Sequence, residues 1–134
     1  MSLLYAFFGK IRTIDDFARE AKKRKIKKAD IIIQTTTQPS DKEDLIYRKE
    51  VFVTDPGCKI NLKLGDYSCC YNPQKGDYDI TCLNHRAYED ALIYGSCLSG
   101  LHNIDINING SSLEETKKKK EDLEAAMASM EKDS

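Results

Sequence analysis

The chain has 134 residues, 40% of them apolar and 32% charged, and a net charge of −1. A chain of this length can bury one core without disulfides or metal, and this composition is that of a globular rather than a disordered chain. No stretch approaches the roughly 20 apolar residues that cross a bilayer, and the short run Leu3–Phe8 is followed, not preceded, by Lys10 and Arg12, which argues against a signal peptide.

The expected location is therefore the cytoplasm, with the nucleus as the alternative and no membrane association. Five cysteines, Cys58, Cys69, Cys70, Cys82 and Cys97, are an odd set with no secretory context and read as reduced thiols. Asn109-Gly110-Ser111, though it matches a glycosylation acceptor, reads as a turn for the same reason. The near-neutral total conceals an asymmetry. Residues 1–28 carry nine Lys/Arg and three acids, residues 29–110 seven and twelve, and residues 111–134 five and seven. A basic arm joins an acidic body.

Leu3–Phe8 is too short for its periodicity to separate a strand from a helical turn. Thr13 has the chemistry of an N-cap, with Asp15 and Asp16 at the positive end of the helix dipole, and Ile14, Phe17, Ala18 and Ala21 recur at helical spacing, predicting a helix over 13–24. Residues 29–37, with three isoleucines and three threonines, predict a strand. Leu45, Tyr47, Val51 and Val53, set against Arg48 and Glu50, predict a second one over 44–53. In residues 58–64, Cys58, Ile60, Leu62 and Leu64 alternate with Lys59, Asn61 and Lys63, predicting a strand with one wet face. Asp55-Pro56-Gly57 and Gly65-Asp66 carry turn chemistry on either side. Tyr67–Tyr71 and Tyr78–Leu83 then read as two more short strands, joined across 72–76.

From Arg86 the period becomes helical, with Asn84 as cap and Ala87, Tyr88, Ala91, Leu92 and Leu98 on one side, while Glu89 and Asp90 fall on a solvated face. Ile104, Ile106 and Ile108 alternate with polar neighbours, predicting a strand over 103–109. Ser112 and Glu115 have capping-box spacing for a last helix, whose seam Leu113, Thr116, Lys120, Leu123, Met127 and Met130 is thinly apolar. The expected fold is α+β: one domain over 1–110 with an antiparallel sheet of five to six strands and two helices packed on one face. A loosely packed, charged C-terminal helix or tail follows over 111–134.

Catalytic and metal chemistry find no foothold in this pattern. Cys82, His85, Cys97 and His102 are metal-ligand types, but a helix over 86–97 separates His85 from Cys97 by about 18 Å at about 1.5 Å per residue. Cys69 and Cys70 point to opposite faces of a strand. No phosphate loop, nucleophile elbow, metalloprotease helix or calcium loop is present. The expectation is no catalytic residue, no metal and no cofactor.

Two features suggest binding. The run Lys22, Lys23, Arg24, Lys25, Lys27, Lys28 supplies phosphate-neutralising charge where a helix meets a strand, although Lys and Arg also favour a helix C-terminus. Tyr47, Tyr67, Tyr71 and Tyr78, if they face outward, offer stacking surfaces for bases. The opening Thr13-Ile14-Asp15-Asp16-Phe17-Ala18-Arg19, followed by an apolar strand at Ile31, is similar to the opening of the smallest Alu-domain subunit of the signal recognition particle. The resemblance covers about a quarter of the chain and implies a helix, three strands and a helix, with RNA bound on the sheet. It implies no particular site residues here.

The leading functional expectation is a non-catalytic binding or adaptor protein. Its protein partner would be met through Lys59, Asn61 and Lys63 of the polar sheet face and Leu123, Met127 and Met130 of the last helix, which would also mediate any homo-oligomer. The alternative is RNA binding through residues 22–28. A third reading is a small enzyme or ligand-binding fold whose pocket has no linear motif.

Overall fold

The structure is a computed structural model that describes residues 11–40, 44–74 and 77–133, with side chains to residue 131. The segment Leu3–Phe8 lies outside the described residues, as do Lys75 and Gly76 of the connection after the third strand. Helix α1 (Ile14–Lys23) begins as its sequence predicts. The Thr13 hydroxyl accepts from the Asp16 amide at 3.1 Å and the Asp16 carboxylate accepts from the Thr13 amide at 3.2 Å, closing a capping box. It ends in a Schellman turn: Ile26 donates to the Ala21 carbonyl at 2.8 Å and Lys25 to the Lys22 carbonyl at 3.2 Å, with Lys25 itself at φ 58°.

The sheet contains β1 (Lys28–Pro39), β2 (Leu45–Thr54), β3 (Asn61–Tyr71) and β4 (Asp105–Ile108), in the order β3-β2-β1-β4. The first three form an antiparallel meander, while β4 lies parallel to the start of β1, pairing Ala29 with Ile106 and Ile31 with Ile108. Helix α2 (Tyr78–His102) connects β3 to β4, and α3 (Leu113–Asp133) follows. Among the described residues the order through α2 is helix, three strands, helix, as the resemblance implies, with β4 and α3 added.

The expected sheet of five to six antiparallel strands is therefore corrected to a mixed sheet of four. Gly65-Asp66 is not a hairpin turn. The register shifts by one residue between Val51 and Phe52, so a bulge absorbs the residue extra to the alternation and the stretches around 61–64 and 67–71 run on as one strand. Residues 78–83 are the first turns of α2, not a strand. The Thr81 amide and hydroxyl both donate to the Asp77 carbonyl, at 2.9 Å each, which closes a helical turn. Asn84, expected as a cap, thus lies inside the helix.

Alternation along the strands separates two faces. Ile31, Val51, Val53, Leu62 and Ile106 join Phe17, Ala18 and Ala21 of α1 and Ala87, Ala91 and Leu98 of α2 in one core. Gly95 lets α2 approach so closely that a Cβ there would meet Leu113 of α3 at 2.9 Å and Ile106 and Ile31 at 3.3 Å. All three helices thus stand on one side of the sheet. The last helix starts on its capping box, with the Glu115 amide donating to the Ser112 hydroxyl at 3.2 Å. It runs antiparallel to α2, tied by Tyr78 to Glu131 at 3.1 Å and His85 to Glu124 at 3.2 Å. Its seam is half-buried, with Thr116 fully so.

Candidate nucleic-acid interface

The basic run is assembled by two local devices. In the first, the Schellman ending of α1 turns the chain sharply at Lys25, so that Lys22, Lys25, Lys27 and Lys28 are exposed around the half-buried Ile26. In the second, Asp55, only 3% exposed, organises the turn between β2 and β3. Its carboxylate accepts from the amides of Gly57 at 3.1 Å, Lys59 at 2.7 Å and Ile60 at 2.8 Å. Burial of that carboxylate is compensated by three donors, and the turn it holds carries Lys59 to the basic run.

A groove of about 460 Å³ lies between these two devices, walled by residues 24–28 on one side and by Asp55, Pro56, Gly57 and Lys59 on the other. Across the Lys25–Lys27 ridge a second depression of about 810 Å³ reaches the end of α2, with Ala18, Ile26, Leu101 and Ile104 as its apolar part and Lys22, Lys25, Lys27 and His102 at its edge. Lys25, Cys58 and Asn103, all non-glycine residues at positive φ, sit in the loops around these grooves. Backbone strain of this kind gathers where surrounding structure has a use for it.

Among the described residues, no ion pair engages Lys22, Lys25, Lys27, Lys28 or Lys59. Arg24 is different, held by Glu20 at 3.0 Å. Asp105 lies opposite Lys28 in the strand register, and Asp15 stands 3.8 Å from His102.

The outer sheet face presents a different character. Lys63 belongs to a closed charge network in which Arg48 makes two hydrogen bonds to Asp66, at 2.8 and 2.5 Å, and Lys63 contacts Glu50 at 2.9 Å and Asp66 at 3.0 Å. Those two cations hold the Asp66 carboxyl well below the usual carboxylate range. Lys63 also lies 5.7 Å from the Phe52 ring centre. Asn61 is exposed on the same strand, whereas Lys59 lies in the turn and not on the strand face where the alternation put it. The three residues grouped from sequence as one surface thus divide between two sites.

Tyr47, Tyr67 and Tyr71 fall on the helix side of the sheet, in register with Thr37, Lys49 and Leu45, and Tyr78 is helical. They offer no outward stacking platform. Leu123, Met127 and Met130 are half-buried along the face that α3 turns to α2. Asp90 is also not solvated as expected. It lies over β3, where a Cβ on Gly65 would come within 2.9 Å of its Oδ2, and burial raises its carboxyl.

No cluster of three or more metal-ligating side chains occurs among the described residues, and His85 is paired with Glu124. Sequence reasoning missed Lys49, which alternation places beneath the helices. It is partly desolvated, its amine is lowered by burial, and it donates to the Thr35 hydroxyl at 2.5 Å. Together with Asn84, Tyr88, Lys119, Asp122 and Leu123 it lines a hollow of about 350 Å³. Asn84 Oδ1 is buried there without a hydrogen bond.

No family model, curated protein or solved structure matches this chain. Among the described residues, no helix is long and apolar enough to cross a membrane.

Proposed function

We propose that the chain is a non-catalytic RNA-binding module that holds the phosphate backbone on Lys22, Lys25, Lys27, Lys28 and Lys59. The observation that carries this reading is the convergence of Lys59 with Lys25, Lys27 and Lys28 across one groove, none of the four held in an ion pair among the described residues. Recognition by lysines alone is electrostatic and sequence-tolerant, because each phosphate contacted releases condensed counterions. With about four phosphates engaged on a single strand, the logarithm of affinity falls with the logarithm of salt at a slope near −3.

The test is fluorescence anisotropy of a generic single-stranded RNA across a salt titration, with the triple variant Lys25→Glu, Lys28→Glu, Lys59→Glu alongside. The expected result is salt-sensitive binding that the variant loses by tenfold or more, while Lys117→Glu on α3 leaves it unchanged. Absence of salt-sensitive binding by the parent chain sinks the reading.

An adaptor role remains the second reading, favoured by Leu101, which is 76% exposed at the edge of the larger depression. An acidic peptide carrying an apolar side chain fits lysines around an aliphatic floor. Leu101→Asp would weaken such a peptide and leave the RNA phosphates largely unaffected.

A further inference from the structure

We infer that Cys69 and Cys82 form a thiol–disulfide exchange site, a modification site that accepts small-molecule disulfides such as oxidised glutathione. The inference rests on the register between β3 and α2. Tyr71, Tyr67 and Gly65 lie on the helix side of β3, and each meets α2 or its cap in turn. The Tyr71 hydroxyl donates to Asp77 at 2.7 Å, the Tyr67 ring lies 4.6 Å from the Arg86 guanidinium, and Gly65 lies under Asp90. Alternate strand residues advance by about 6.8 Å and a step of four along a helix by about 6 Å, so the two ladders stay in step. Cys69 is the remaining inward residue between Tyr71 and Tyr67, and Cys82 occupies the stripe position one turn before Arg86.

The electrostatics agree with this placement. Burial, Asp79, Cys70 and Cys82 together raise the Cys69 thiol, and the Tyr78 hydroxyl, one turn before Cys82, is pushed up to about 12 chiefly by that cysteine and by Glu131. Both Cys69 and Cys82 are half-buried, whereas Cys70 is exposed on the opposite face and Cys58 is exposed at the far end of the sheet.

The chemistry is a two-electron exchange. The Cys82 thiolate attacks one sulfur of oxidised glutathione, forming a mixed disulfide and expelling the first glutathione thiolate. The Cys69 thiolate then attacks the Cys82 sulfur, forming the Cys69–Cys82 bond and expelling the second. The two protons lost by the cysteines are taken up by the two glutathione thiolates, so the protein is oxidised and the glutathione disulfide reduced. The bond would fasten the end of β3 to the start of α2, far from the lysine grooves.

The test is incubation of the full chain with oxidised glutathione, followed by peptide mapping by mass spectrometry without reduction and by thermal unfolding. The expected result is a peptide pair joined through Cys69 and Cys82, with a raised unfolding midpoint that a dithiol reductant reverses. Cys82→Ser abolishes the joined pair and the rise, while Cys70→Ser retains both. Separate glutathione adducts on Cys69 and Cys82, or joining of either one to another cysteine, would overturn the inference. The map of the parent chain decides the matter even if a variant fails to fold.

Discussion

Arg86 and Tyr67 are joined by a cation–π contact, the guanidinium carbon lying 4.6 Å from the ring centre and linking the middle of α2 to the inner face of β3. Because Arg86 itself is exposed, its ring contact rather than its burial is what the helix gains there. Arg86→Ala is expected to lower stability by about 1 kcal/mol in urea unfolding, and Arg86→Lys to recover only part of that loss, since an ammonium lacks the flat stacking surface. Equal stability of all three chains would show that the contact contributes nothing.

Two glycines of α2 separate helix propensity from packing. Gly100 has nothing within 4 Å of a Cβ, so Gly100→Ala should stabilise the chain by about 1 kcal/mol through lost unfolded-state freedom alone. Gly95→Ala carries the same propensity gain but drives a methyl into Leu113, Ile31 and Ile106, an overpacking cost of about 1–3 kcal/mol. The expected order of melting temperatures is Gly100→Ala above the parent and Gly95→Ala below it. Reversal of that order would mean that α3 gives way at no cost.

Acid sensitivity should trace in part to Asp66. Hydrogen bonds from Arg48 and Lys63 lower its folded-state pKa below the value of about 3.9 it has when unfolded. A depressed carboxylate contributes stability that is present above the unfolded pKa and is lost as pH falls through the folded one. Asp66→Asn should therefore flatten the loss of stability below about pH 4, a difference read by comparing urea midpoints at acid and neutral pH. Salt should shrink the same difference, because the network is exposed.

Asp55 couples folding to the proposed interface. Asp55→Ala leaves three turn amides without their acceptor and should cost about 3 kcal/mol, whereas Asp55→Asn retains an oxygen and should cost less. Because the turn carries Lys59, the alanine variant should also weaken RNA binding under conditions where it remains folded. Unaltered affinity in a folded Asp55→Ala chain would separate the turn from the site.

What the sequence disclosed was local. Thr13 and Ser112 could be read as caps because their bonds close within three residues, β1 because it is rich in isoleucine and threonine, and β2 and β4 because apolar residues alternate with polar neighbours. The stretch from Tyr78 to Leu83 misled because a tyrosine, an isoleucine and a cysteine two apart resemble a strand, whereas the bonds from Thr81 to the Asp77 carbonyl close a helical turn that this alternation does not announce. Gly65-Asp66 misled because bulge and turn draw on the same residue types. The basic run could be read directly, but Lys59 could not be joined to it, since that neighbourhood depends on how the buried Asp55 folds its turn. Likewise the pairing of β4 with β1 spans more than seventy residues, as the Ile33 to Asn109 separation of 76 illustrates, and leaves no local trace.

That same Asn109 decides how far the sheet can grow. Its amide mimics a strand residue, accepting from the Ile33 amide at 2.8 Å and donating back to the Ile33 carbonyl at 3.3 Å, so it plugs the ladder just where β4 stops. Beyond it, among the described residues, only Thr35 and Thr37 continue the alternation on that edge before Pro39, which has no amide proton to offer. An incoming strand would find a template shorter than the usual length of about 5–6 residues, so a threonine-rich edge that might otherwise recruit copies of itself is closed from both ends.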